Sequence, residues 1–260
     1  MLGHLKVTFL GTGTSQGVPV IACACHVCKS QDPRDKRLRT SVLLEWENRR
    51  IVIDSGPDFR QQMLREKVLG LDAIVFTHDH KDHIAGLDEV RAFNYINQWR
   101  AQVYCSEEVE ISLRREFHYA FSEVKYPGIP EIDIHRINDE PFEINGLNFT
   151  PIKVWHYNLP VFGYRIGNFT YITDANRIED SELEKIKGSE VLVLNALRHE
   201  AHPSHFTLKE AIAVAESTNT KQTYFTHISH QLGRHSEVEG KLPAGMALAY
   251  DGLTIEIPMP

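Results

Sequence analysis

The segment Thr77-His78-Asp79-His80-Lys81-Asp82-His83 crowds three imidazoles and two carboxylates into seven residues. Ala73 to Phe76 before it reads as a short buried strand, so the cluster sits just beyond a strand end. Side chains alternate along an extended chain, which puts His78 and His80 on one side, where two imidazoles can share one metal ion. Asp82 and His83 fall at the start of a helix, whose turn aims both at a second ion near the first.

The surrounding chain reads as one α/β domain spanning residues 1–260, a length that can bury a sizeable core. Leu5 to Leu10 predicts a strand ending in the Gly11 to Gly17 turn, and Ser41 to Trp46 with Arg50 to Ile53 a hairpin closed by Glu47-Asn48-Arg49. Helices are predicted over Asp58 to Lys67, Glu107 to His118, Glu179 to Lys187 and Leu208 to Ser217. Ile132 to Thr173 reads as a second sheet with turns at Asn138-Asp139, Asn145-Gly146 and Gly167-Asn168. Buried strands follow at Val191 to Leu194 and Thr223 to Phe225, and Thr254 to Ile257 closes the chain. The Tyr126 to Pro130 loop is expected to border a substrate cleft.

The H-x-H-x-D-H pattern after a buried strand resembles the signature of the metallo-β-lactamase superfamily, and the resemblance extends along nearly the whole chain. It implies an α/β fold, the metallo-β-lactamase-like four-layer αβ/βα sandwich. It also implies a ligand set in chain order: His78, His80 and His156 for one metal, Asp82, His83 and His227 for the other, and Asp174 bridging both. His80 stands where redox di-iron relatives tend to carry Glu, which favours a hydrolase. Two divalent ions, zinc or manganese, with two carboxylates and a bridging hydroxide leave about +1 before substrate arrives, a charge suited to a monoanionic phosphodiester. Such ions lower the pKa of bound water and neutralise charge developing on phosphoryl oxygens. The expected activity is therefore binuclear metal-dependent phosphodiester hydrolysis, with Asp82 counted in the reacting machinery as well as among the ligands.

Cys23, Cys25 and Cys28 supply three thiolates in one short loop, three corners of a tetrahedral structural zinc site. His230, three residues after His227, is the candidate fourth ligand, ahead of His26, which is wedged between two of the cysteines. Together with Gly11-Thr12-Gly13 and Thr226-His227-Ile228-Ser229-His230-Gln231, this loop resembles the phosphoribosyl cyclic phosphate phosphodiesterases, a narrower group in which the last His of that segment binds the structural zinc. The resemblance also implies that His205 acts as general acid or substrate contact. Gly11, Gly13 and Gly17 depart from a dinucleotide fingerprint and are expected to permit close backbone packing near the metals. Asp54 is expected to hydrogen-bond a metal-bound His. Arg91 is a surface ion-pair residue before it is a phosphate contact.

A net charge of -7 offers no broad basic face for long nucleic acid, so a small phosphate ester is the expected partner, without membrane or extended nucleic acid. No run of eighteen apolar residues occurs and the first ten residues are broken by His4, Lys6 and Thr8, so a cytoplasmic location is expected. Oligomeric state stays open, a homodimer included. The alternatives are a thioesterase or lactonase, which shares the metal motif but ordinarily lacks the cysteine loop; a tRNA 3′-processing endonuclease, which carries a basic arm absent from this sequence; and a non-enzymatic metal-binding module.

Overall fold

A computed structural model describes residues 3–124 and 126–260. Met1 and Leu2, part of the first ten residues read above, and Lys125 lie outside the described residues. In chain order the strands are β1 (His4–Gly11), β2 (Ser41–Trp46), β3 (Arg49–Ile53), β4 (Ala73–Val75), β5 (Ala101–Cys105), β6 (Ile132–Arg136), β7 (Phe142–Ile144), β8 (Leu147–His156), β9 (Leu159–Ile166), β10 (Phe169–Ile172), β11 (Arg177–Ile178), β12 (Val191–Asn195), β13 (Gln222–Thr226), β14 (Met246–Leu248) and β15 (Thr254–Pro258). The helices are α1 (Phe59–Arg65), α2 (Lys81–Ile84), α3 (Arg91–Asn97), α4 (Glu107–Glu116), α5 (Asp180–Ile186), α6 (Leu208–Thr218) and α7 (His235–Glu239). The strands form a seven-stranded sheet, ordered β15-β1-β2-β3-β4-β5-β6, and an eight-stranded sheet, ordered β11-β8-β9-β10-β12-β13-β14 with β7 on β8.

Alternation along the strands builds the layers. Val42, Leu44, Ile51, Ile53, Ala73 and Val75 point from the first sheet towards Phe149, Tyr164, Ile166, Phe169 and Tyr171 of the second. Their neighbours Leu43, Val52 and Ile74 point outwards onto Phe59 and Met63 of α1 and Val109 and Leu113 of α4. Ile152, Val154, Leu192 and Leu194 similarly meet Ile186 of α5 and Leu208, Ala211 and Ala215 of α6. A period of two that is apolar on both faces requires cover on both faces, giving helix, sheet, sheet, helix. Burying each such large aliphatic side chain contributes about 1.5–3 kcal/mol. Among the described residues no helix is long and apolar enough to cross a membrane.

β3 to β6 pair in parallel, as do β10, β12, β13 and β14. Ligand sites in such sheets lie beyond the carboxyl ends of the strands. The ends of β4, β8, β10 and β13 lead into His78, His156, Asp174 and His227.

Several elements differ from expectation. β6 pairs with β5 in the first sheet, so the second sheet does not begin at Ile132. The β2–β3 turn is only Glu47-Asn48, because Arg49 pairs with Trp46. The first helix is shorter than predicted: the Asp58 carboxylate accepts from Arg39 N–H at 2.8 Å instead of capping it, and Lys67 turns left-handed at φ 53°. A hairpin turn at Tyr157-Asn158 joins β8 and β9 at a place with no Gly or Pro to mark it. α7, β5, β11 and β14 are additional.

Candidate metal centre

Four side-chain positions at this end of the sandwich occupy left-handed backbone without being glycine: Asp54 (φ 65°), Tyr157 (φ 57°), Asp174 (φ 52°) and His227 (φ 55°). Each lies where the chain leaves a strand and must bend sharply, a conformation that costs an L-residue about 1–2 kcal/mol. Asp174 is fixed from behind by Asn195, whose side chain accepts from Ala175 N–H and donates to Ala175 C=O, both at 2.9 Å. The single turn of α2 is fixed by Ser55 N–H donating to His83 C=O at 2.8 Å and by Gly56, where an added Cβ would lie 2.0 Å from Asp82 C=O. Tyr164 Oη, from the second sheet, donates to Phe76 C=O at 2.6 Å, holding the end of β4.

Asp82, His83, Asp174 and His227 bring one ligand atom each into a single cluster. His83 Nε2 lies 3.3 Å from Asp82 Oδ2 and 3.4 Å from Asp174 Oδ1, and His227 Nε2 lies 3.2 Å from the same Asp174 oxygen. Nitrogen and oxygen ligands about 2.0–2.1 Å from a tetrahedral ion are separated by about 3.3 Å, so the spacing fits. Among the described residues, buried His78 Nε2, His83 Nε2 and both ring nitrogens of His227 have no hydrogen-bond partner. Buried orphans of this kind are costly unless something else binds them, and a cation does. His83 presents Nε2 because Nδ1 donates to Asp54 Oδ2 at 2.7 Å. Asp54 also accepts from Thr77 N–H (2.9 Å) and Oγ1–H (2.8 Å), so the expected role of Asp54 has its geometry here.

The first cluster is looser. His78 and His80 group with Asp174, whereas His156 groups with Asp174 and His205. The rings of His78, His80 and His156 nevertheless face one another, with centroids 4.7, 4.9 and 5.7 Å apart. His156 Nδ1 donates to Ser204 C=O at 2.8 Å, which frees Nε2 for the cluster. His205 Nε2 lies 3.2 Å from Asp174 Oδ2, closer than His78 Nε2 at 3.8 Å. His205 is delivered by the segment before α6, where Thr207 and Glu210 form a capping box and Phe206 N–H donates to Ala175 C=O at 2.7 Å. Nothing in the residues around His205 marks it as a contact of the shared carboxylate.

Charge follows the same division. Burial opposes the charge of Asp174, but His227 and His83 outweigh it and hold the carboxyl well below the ordinary range. Asp82 behaves alike: burial is opposed and overcome by His83 and His227. Burial disfavours charge on His83 too, yet Asp174, Asp82 and Asp54 favour a proton there, a position a cation can take. Burial lowers His78 and His205, and pushes His156 down to about 4. The arrangement is two carboxylates among imidazoles, the donor set that suits zinc and manganese.

The cysteine loop meets the same end of the molecule. Cys23, Cys25 and Cys28 Sγ lie 3.3, 3.3 and 3.6 Å from His230 Nδ1. Zinc bonds of about 2.3 Å to sulfur and 2.0–2.1 Å to nitrogen place such atoms about 3.6 Å apart. His26 lies away from this group, against Glu237 at 3.8 Å. Gly11 and Gly13 permit close packing, but against the backbone of Arg39 and Arg37: added Cβ atoms would lie 1.9 and 2.8 Å from their carbonyl oxygens. Arg91 pairs with Asp88 at 2.6 Å on the surface. None of Tyr126 to Pro130 lines the cavities that contain cluster histidines. The open cleft of about 720 Å³ beside His80 and His156 is instead walled by Tyr157, Asn158, Leu159, Pro203 and Ser204.

A family model described as beta-lactamase superfamily domain matches residues 49–228. An octanoyltransferase of Porphyromonas gingivalis is 38% identical over 252 residues, 96% of this chain and 51% of that protein. The chain thus spans about half the length of this curated relative. A solved diphosphatase from the PhnP family is 44% identical, covering 100% of this chain and 99% of its own, with a TM-score of 0.94. Zinc-bound PqqB from Methylobacterium extorquens, 18% identical over 97% of this chain and 100% of its own with a TM-score of 0.79, shares the fold. The expected four-layer architecture is therefore the one observed, and the chain belongs to the beta-lactamase superfamily, in its PhnP-like group.

Proposed function

We propose that the chain hydrolyses a phosphodiester, or the phosphoanhydride of a diphosphate, in a small substrate at a two-metal centre. The observation that carries this reading is Asp174: one buried carboxylate faces His83 and His227 with Oδ1 and His78 and His205 with Oδ2. His78, His80 and His156 would hold one divalent ion, Asp82, His83 and His227 the other, with Asp174 between them. Ions so held supply an activated water and offset phosphoryl charge. Cys23, Cys25, Cys28 and His230 would hold a structural zinc that ties the N-terminal loop to the segment carrying His227.

His205 is the acid of this reading. Burial lowers its pKa, but the hydrogen bond from Nε2 to Asp174 favours the protonated ring, which with Nδ1 3.0 Å from Ser204 Oγ would give a proton to the leaving oxygen. The relationship to a diphosphatase at 44% identity supports attack at phosphorus. No cysteine is placed for acyl transfer: Cys23, Cys25 and Cys28 face His230, and Cys105 is buried with its thiol pushed up to about 12, chiefly by burial.

The test is hydrolysis of bis(p-nitrophenyl) phosphate by metal-reconstituted protein, with a p-nitrophenyl carboxylic ester in parallel. Diester cleavage lost in His78→Ala and Asp174→Ala supports the proposal. Ester cleavage without diester cleavage refutes it in favour of a thioesterase or lactonase. His205→Ala should slow alkyl phosphodiesters by about 10²–10⁴-fold, and p-nitrophenyl esters far less, since p-nitrophenolate leaves without a proton.

A further inference from the structure

Of the four left-handed residues beside the metal centre, Asp174 and His227 would hold ions and Asp54 orients His83. The fourth, Tyr157 (φ 57°), has no such role. Tyr157 is 61% exposed, and among the described residues its ring stacks on no other aromatic group and its hydroxyl makes no hydrogen bond. Two-residue turns between paired strands usually place Asn, Asp or Gly where the chain turns left-handed, since a bulky side chain is disfavoured there. An exposed aromatic ring kept in such a position, one residue beyond His156, looks outside the chain for its partner.

Tyr157, Leu159 and Pro203 give the open cleft of about 720 Å³ its apolar lining, and Asn158 and Ser204 its polar groups, while His80 and His156 join it to the metal centre. One amide braces the cleft. Asn176 Oδ1 accepts from Tyr157 N–H at 2.8 Å while Asn176 Nδ2 donates to Pro203 C=O at 3.0 Å. His156 Nδ1 adds a third tie, to Ser204 C=O at 2.8 Å. The hairpin turn and the segment before α6 are thus pinned to one another, so little free energy is spent on ordering them when a ligand enters. Among the described residues the Asn158 amide makes no hydrogen bond, which leaves a donor and an acceptor beside the free face of Tyr157. A nucleobase offers a flat π-face and a hydrogen-bonding edge together. An alkyl chain lacks the edge, and no lysine or arginine lines the cleft to draw a further anionic group.

We propose that this cleft binds a nucleobase carried by the substrate, with Tyr157 as the stacking platform that selects for it. This deepens the proposed hydrolysis at phosphorus and rests on it for where the reacting phosphate lies. The substrate class is then a nucleoside phosphodiester or a nucleoside diphosphate ester. Tyr157 is a specificity residue; the chemistry stays with the metal ligands and His205.

The experiment is calorimetry on zinc-loaded protein with paired probes that share one phosphate group: adenosine 5′-monophosphate against ribose 5-phosphate, and phenyl phosphate against methyl phosphate. The nucleotide should bind about tenfold to a hundredfold tighter than the sugar phosphate, and the phenyl ester only about threefold tighter than the methyl ester. Tyr157→Asn accepts the left-handed backbone at least as well as tyrosine, so it removes the ring without loosening the turn. It should reduce the nucleotide's advantage to within about threefold, whereas Tyr157→Phe keeps the ring and should keep the advantage. A wild type that binds both members of the first pair alike, or an advantage that survives Tyr157→Asn, overturns the proposal. An equal advantage for phenyl phosphate also overturns it, assigning the cleft to aryl esters at large. Hydrolysis of thymidine 5′-(p-nitrophenyl phosphate) and of diadenosine diphosphate is read separately. Failure to cleave either refutes hydrolysis at phosphorus while the binding comparison still judges the cleft.

Discussion

Replacing Asp54 by Asn isolates what one buried carboxylate does for a metal ligand it never shares. Asn keeps the volume and accepts the left-handed backbone at φ 65° as readily as Asp, so the fold is not the variable. Its amide oxygen can still take Thr77 N–H, now 2.9 Å away. The amide nitrogen, however, replaces the oxygen that accepts both Thr77 Oγ1–H at 2.8 Å and His83 Nδ1–H at 2.7 Å. The threonine oxygen can still accept from His78 Nδ1–H at 2.9 Å, which keeps His78 Nε2 bare, but His83 Nδ1 loses its acceptor and the ring is driven to carry its proton on Nε2, the atom that must be bare to bind a cation. Losing a charge-assisted hydrogen bond in a buried place costs about 1.5–3 kcal/mol, which is about a tenfold to hundredfold loss of affinity for one ion. Competition against a chromogenic chelator should show that loss for one of the two active-site ions, with unchanged circular dichroism. Affinity within about threefold of wild type for both ions would refute this account of how His83 is oriented.

Gly56→Ala pushes a methyl into Asp82 C=O, 2.0 Å away. It should lower stability by about 1–3 kcal/mol and release the ion held by Asp82 and His83; wild-type Tm and metal content would contradict it. In zinc-free protein at pH 7, iodoacetamide should label Cys25 before Cys28. The Cys28 N–H holds the Cys25 thiol down at about 6, whereas burial pushes that of Cys28 up to about 11. Peptide mapping showing equal rates, or no protection by added zinc, would count against the shared site. Burial raises the Asp251 carboxyl from 3.8 to about 6, so the folded state binds its proton more tightly than the unfolded one. Its contribution is present below about pH 4 and lost as pH rises through 6, about 3 kcal/mol in all. Urea titrations should show the stability of wild type relative to Asp251→Asn falling by that amount between pH 4 and 7, and a pH-independent difference would refute it.

The sequence made the centre legible where ligands crowd together. His78, His80, Asp82 and His83 lie within six residues, and their geometry follows from one strand end and one helical turn. Asp174, His156 and His227 are single residues at the ends of separate strands, so only a family pattern could join them. Three cysteines with ligand spacing marked their loop, although the packing of Gly11 and Gly13 on residues 37–39 could not be seen, since close approach leaves no spacing signature. β6 was given to the wrong sheet because alternation shows that a strand has two faces, not which neighbour it finds. Asn195 and Ser204 act through backbone groups, and nothing in their neighbours along the chain announces it.

The left-handed residues at the strand ends have a consequence for the protein in a cell. Asp54, Tyr157, Asp174 and His227 hold disfavoured backbone together, at about 1 kcal/mol or more each, in a domain class whose total stability is about 5–15 kcal/mol. Cations that bind only the folded chain add stability in proportion to the logarithm of their free concentration. Metal starvation should therefore act first on abundance: proteases would clear the chain as its opened population grows, and the amount of protein present would report the metal supply before any turnover is measured.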